Sequence, residues 1–125
     1  MTIQEAIDRV DRDKANVFTT DDKVAWLSEL DGLIWTEIML THEGVSPWAV
    51  FRGYNQDTPT DTHLLVPDQY ADVYKYYMEA QIDAVNQDSE EAARSMAMYN
   101  VAYATFADYW NRTHMPRQAC CEFRL

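Results

Sequence analysis

The chain has 125 residues, 47% of them hydrophobic, only three Gly and four Pro, and a formal net charge of −11. That length fits one domain with a core of its own, and the scarcity of Gly and Pro excludes long low-complexity segments. The acidic balance excludes a protein that wraps phosphates with a basic stripe, and one that docks on an anionic membrane.

Composition adds three further expectations. Eight Tyr and four Trp offer large contact area at low entropic cost, for a core rim or an interface. Cys120 and Cys121 are adjacent, a geometry that strains a disulfide, and neither has a second Cys pair or a nearby His for zinc. The protein therefore reads as one made for a reducing cytoplasm. The start, MTIQEAIDRVD, is charged and helical rather than a signal peptide, and no apolar run approaches a membrane span.

Taken in chain order, the first element is a short helix. Thr2 and Glu5 make a capping box, and Ile3, Ile7 and Val10 follow at helical spacing. The run Asp11 to Asn16 loses that period and predicts a turn. A second helix starts near Thr19 or Thr20, with Asp21 and Asp22 at its positive end. Val24, Leu27, Leu30, Ile34 and Ile38 form its stripe, and Trp26, Leu33, Trp35 and Met39 widen it beyond one face. A helix apolar on more than one face is sandwiched between neighbours or meets another subunit. Gly44 and Pro47 mark its end.

Residues 45–66 change character. Ala49 to Arg52 and His63 to Val66 are strand-like runs around a polar, turn-rich stretch from Tyr54 to Thr62. The pattern predicts a β-hairpin or an ordered arm, and two strands alone need a partner to be stable. Pro67 suits the start of a third helix, with Tyr70, Val73, Tyr74, Tyr77, Met78, Ile82 and Val85 on its apolar side. After a break at Asn86 to Asp88, either Asp88 with Glu91 or Ser89 caps a fourth helix. Ala92, Met96, Tyr99, Tyr103, Phe106 and Trp110 give that helix a heptad-like seam. The small residues Ala93, Ala97, Ala104 and Ala107 allow close approach of a neighbour.

The fold class is thus mainly α. Residues 1–111 form a bundle of about four helices with the hairpin or arm at 45–66, and residues 112–125 form an extended C-terminal tail. The expected core includes Leu27, Ile34, Tyr77, Met96, Tyr103 and Phe106.

Residues for chemistry are sparse, so no catalytic residue, metal or cofactor is expected. His42, His63 and His114 lack a second His at three or four residues, and Ser46 breaks any HExxH pattern after His42. Asp11-Arg12-Asp13 begins like a calcium loop with Asp22 at its twelfth position. Ala15 replaces an oxygen ligand there, Asn16 replaces the turn Gly, and Asp22 is shorter than the bidentate Glu. The carboxylate pairs Glu29 with Asp31 and Glu90 with Glu91 do not face each other on a helix. Neither a glycine-rich phosphate loop nor a GxSxG elbow occurs.

The segments Trp26 to Gly32, Leu65-Val66-Pro67, Tyr76 to Asp83 and Tyr109 to Pro116 resemble small proteins encoded in the head-gene region of tailed phages and prophages. In size and helical layout the chain is similar to head–tail connector (adaptor) proteins. That resemblance implies a helical bundle with a protruding hairpin or loop and a flexible C-terminal segment. It also implies a homo-oligomeric ring, a dodecamer, beneath the portal, which extends the DNA channel without binding DNA specifically. Its place would be the virion neck, after assembly in the host cytoplasm, and it implies no catalytic residue.

Within that frame the tail is locally basic on an acidic protein. Arg112, His114, Met115, Arg117, Phe123 and Leu125 are expected to dock on the portal. Trp26, Trp35, Phe51, Arg52 and Tyr54 are expected at the subunit interface, with the hairpin pairing to a neighbouring subunit or neck or tail protein. Two rivals stand beside this reading. One is another neck or tail-completion protein. The other is an acidic DNA mimic, suggested by nine acidic residues and one basic one, Lys75, between Asp57 and Glu91.

Overall fold

A computed structural model of the chain describes residues 1–42 and 48–115. Four helices dominate: α1 (Ile3–Asp13), α2 (Thr20–Ile34), α3 (Asp72–Val85) and α4 (Ser89–Thr113). A π-helical turn, Trp35–Met39, continues α2, and a 3-10 turn, Asp68–Tyr70, leads into α3.

Side-chain caps account for the starts of α1, α2 and α4. Thr2 and Glu5 cap α1 reciprocally, and Thr19 does the same for α2 with Asp22. Asp88 accepts the Glu91 amide at the head of α4. Gln87, in the left-handed region at φ 59°, makes the sharp turn between α3 and α4.

One continuous core forms where α1, α2, α3 and α4 meet. Ile3, Ala6, Ile7 and Val10 of α1 are buried at helical spacing, as are Val24, Leu27, Leu30 and Ile34 of α2. In the π turn the Leu40 amide reaches back to the Trp35 carbonyl, one residue further than an α-helix allows. The local rephasing lets Ile38 and Met39 both be buried. Helices α3 and α4 run antiparallel. Tyr70 packs on Tyr109 with ring centroids 4.7 Å apart, and Tyr77 on Tyr99 at 5.3 Å.

Three expectations need correction. The first is the hairpin. Among the described residues there is no β-strand; Thr2 bridges to His63, and Ala49 to Arg52 carries no strand or bridge to His63 to Val66. The segment is the ordered arm instead, because its polar groups find better partners on the helices. Thr60 and Thr62 carbonyls accept the Gln4 and Ile3 amides at the start of α1, and the Leu64 amide donates to the Met1 carbonyl.

The second correction concerns the α4 seam. Tyr99 and Phe106 are buried and Tyr103 is half-buried, but Met96 is 42% exposed. Its place is taken by Ser95, whose hydroxyl donates to Asp83 of α3 at 2.9 Å. A polar anchor, not an apolar one, fixes that end of the helix pair. Tyr77 is likewise half-buried, because its hydroxyl reaches out to Glu29.

The third is the tail boundary. Arg112 lies within α4, which continues through Thr113 and ends at His114. The imidazole of His114 stacks on Trp110 at 3.7 Å and 6°, which holds the helix end in place. Arg117, Phe123 and Leu125 lie outside the described residues.

Candidate interaction surface

The arm is held by one buried carboxylate. Asp31 is fully buried in α2 and accepts three hydrogen bonds. Tyr54 Oη donates to it at 2.6 Å, Tyr74 Oη at 2.6 Å and the Leu65 amide at 3.1 Å. Tyr74 Oη in turn accepts the Val66 amide at 2.8 Å. Asp31 thereby joins α2, α3, the middle of the arm and its C-terminal end in a single network. Burial pushes its carboxyl above the usual carboxylate range, and the Tyr54, Tyr74 and Leu65 donors oppose that shift without cancelling it. Burial and the facing Asp31 also push both tyrosine hydroxyls up, so they remain donors at any ordinary pH.

A second contact fixes the middle of the arm on α2. Gly53 has φ 77°, and a Cβ there would meet Ser28 Oγ at 2.7 Å. That close approach lets the Tyr54 amide donate to Ser28 Oγ at 3.0 Å.

The residues expected at a subunit interface fall into two sets. Trp26, Trp35, Phe51 and Tyr54 are half-buried within the protomer. Trp26 meets Phe18 edge-on at 5.2 Å, Trp35 meets Phe51 at 6.2 Å, and Phe51 meets Tyr54 edge-on at 5.3 Å. The first contact packs the α1–α2 connection on α2, and the other two root the arm on the π turn. Arg52 is exposed, as is Val50 beside them at 75%. Val50 and Arg52 therefore face outward from an aromatic base, and Trp48 just before them is 88% exposed as well. Of the expected portal-binding residues, Arg112 and Met115 are exposed, and His114 is partly covered by its stack on Trp110.

The residues weighed for metal chemistry have structural partners. Asp11 accepts from Lys23 Nζ at 2.6 Å and from Asn16, and Asp13 pairs with Lys75 at 3.2 Å. His42 is buried; its Nδ1 donates to the Ile38 carbonyl at 2.6 Å, and its Nε2 meets the side-chain amide of Asn111. That contact ties the π turn to the end of α4. Among the described residues, no group of three or more His, Cys, Asp or Glu is placed to hold a metal ion. No described helix is long and apolar enough to cross a membrane.

Sequence reasoning passed over Asp31 as one of two carboxylates that do not face each other. The signal was its position: Asp31 falls between Leu27 and Ile34 on the buried stripe of α2. A charge there demands internal donors.

Against known proteins, no family model matches the chain, and neither a curated protein nor a solved structure matches it.

Proposed function

We propose that this chain is a structural subunit of a tailed-phage virion: a head–tail connector that forms a homo-oligomeric ring under the portal and extends the DNA channel. The observation that carries the reading is the ordered arm between α2 and α3. It is tied to Asp31 through Tyr54 and Leu65, and just before Tyr54 it presents Val50 and Arg52 outward. A rigid non-helical arm on a small helical bundle suits contacts with neighbours in a ring. The acidic surface suits a channel wall, since it repels phosphates and keeps DNA from adhering. On this reading the protein performs no catalysis and needs no cofactor. Its partners are the portal and the adjoining neck protein.

The DNA-mimic alternative needs carboxylates displayed on one face. Within the acidic stretch, Asp83 is buried against Lys14 at 2.7 Å and Asp72 pairs with Arg9 at 2.5 Å, which thins that display. Another neck or tail-completion role keeps the same arm and bundle, and differs in the partner.

The test is incorporation. Purified protein is mixed with portal-containing heads that lack necks, and ring density below the portal is sought by electron microscopy. Arg52→Glu is expected to fold as the parent does and to join heads several-fold less. Deletion of the residues after Pro116 is expected to abolish joining. Heads that bind neither parent nor variants would remove the connector reading. Retention on a basic DNA-binding protein instead would favour the mimic.

A further inference from the structure

The exposed face of α4 has its own pattern. From Ser95 to Ala107 the helix carries no charged residue, in a chain of net charge −11. Val101, at the centre of this run, is 63% exposed, and Met98 is 42% exposed. Charges return in mirror order on either side. Arg94 and Asp108 each lie seven residues from Val101, and Glu90 and Arg112 each lie eleven. Ala97 and Thr105 are each four residues away, and Met98 and Ala104 three. At 3.6 residues per turn all of them fall within about 60° of Val101 on the helix surface. All nine are exposed.

We infer that α4 is the contact surface for a second copy of this chain, packed antiparallel about a twofold axis through Val101. In that arrangement Arg94 of one copy faces Asp108 of the other, and Glu90 faces Arg112. Each pair occurs twice, as an isologous contact requires. The reverse, parallel pairing would set like charges against like. Arg94 already reaches Glu91 one turn away, and its guanidinium has donors left for a second carboxylate.

The apolar centre fits the same operator. The axis keeps each flank of the helix on its own side. Ala97 then meets Ala104 of the other copy, which lets the helices approach to about 8 Å. On the other flank Met98 meets Thr105 of the other copy. There it can enter the cavity of about 230 Å³ lined by Tyr70, Tyr76, Val101, Ala102 and Thr105.

The strip is about 33 Å long and about 10 Å wide, below the area of a permanent dimer. Association is therefore weak, in the micromolar range. The contact is separate from those of the proposed ring, whose neighbours point the same way, and its test uses isolated protein without heads, so either can fail alone.

The experiment is sedimentation of the full chain over a concentration series, with circular dichroism to confirm folding. The parent is expected to pass from monomer to dimer. Arg94→Glu and Asp108→Arg, each at an exposed position, are expected to weaken association about tenfold or more, because each sets like charges face to face. The double swap restores opposite pairs and is expected to return to within about threefold of the parent. Val101→Asp is expected to give monomer throughout. A monomeric parent at all concentrations would overturn the inference. So would a dimer indifferent to Val101→Asp, or a double swap as weak as the single changes.

Discussion

Replacing Asp31 by Ala removes the acceptor that three donors share. Tyr74 Oη is buried, where water is a poor substitute, and the Leu65 and Tyr54 donors are partly buried. An orphaned donor costs about 1 kcal/mol when partly buried and up to about 3 kcal/mol when fully buried. The sum is about 3–5 kcal/mol, less whatever is regained by no longer burying a carboxylate. For a domain of this size that corresponds to a fall in melting temperature of about 10–20 °C. Asp31→Asn keeps the shape and one acceptor oxygen, and should lose less than half as much.

The pH dependence separates charge from shape. The folded carboxyl holds its proton more tightly than the unfolded one, because burial disfavours the anion. Folded protein therefore binds more protons than unfolded chain in that window. Stability from this group is greatest below the unfolded value and falls as pH rises through the folded one. The parent should thus exceed Asp31→Asn in melting temperature most in acid, with the gap narrowing toward neutral pH. Thermal melts followed by circular dichroism from about pH 3 to pH 7 measure this. An Asp31→Ala variant melting within about 2 °C of the parent, or a gap that widens with pH, would refute the reasoning.

Other changes give sharp contrasts. Phe106→Ala empties a fully buried site and should cost about 3–5 kcal/mol in denaturant unfolding, whereas Met96→Ala, on the exposed side, should stay within about 0.5 kcal/mol; equal losses would mean that the seam is misassigned. Gly53→Ala brings a Cβ onto Ser28 Oγ at a left-handed position, and should cost about 1–2 kcal/mol while leaving far-UV helicity intact. Gln87→Gly relieves a left-handed non-glycine residue in the α3–α4 turn, and should raise stability by about 0.5–1 kcal/mol; a lower melting temperature would contradict that.

The helices were legible because their signals are local. Thr2 with Glu5, Thr19 or Thr20 ahead of Asp21 and Asp22, and Asp88 before Glu91 mark starts that the structure keeps. The stripe on α2 and the seam from Tyr99 to Trp110 follow from spacing alone. The arm was legible as a break in pattern and not as a conformation, since strand-like runs such as His63 to Val66 pair only if a partner strand outcompetes other acceptors. Here Asp31, Tyr74 and the head of α1 win those hydrogen bonds. Ser95 displaced Met96 for a similar reason: hydrophobic periodicity cannot register a hydroxyl anchored to a buried Asp83. The self-complementary charges on α4 were present in the sequence throughout. They gained meaning only once Val101 proved to be exposed.

The carbonyls of Thr60 and Thr62 end on the amides of Gln4 and Ile3, more than fifty residues away along the chain. A helix of eleven residues is marginal alone, and α1 has part of its opening turn completed by chain that must first fold back from beyond α2. Such a helix is a poor nucleus. It should consolidate late, after the arm has closed a long loop, and that closure slows folding. Hydrogen exchange at Ile3 and Gln4 should then report the opening of the arm rather than fraying of a terminus, so two amides near the start of the sequence become the clock for an event in chain that lies beyond α2.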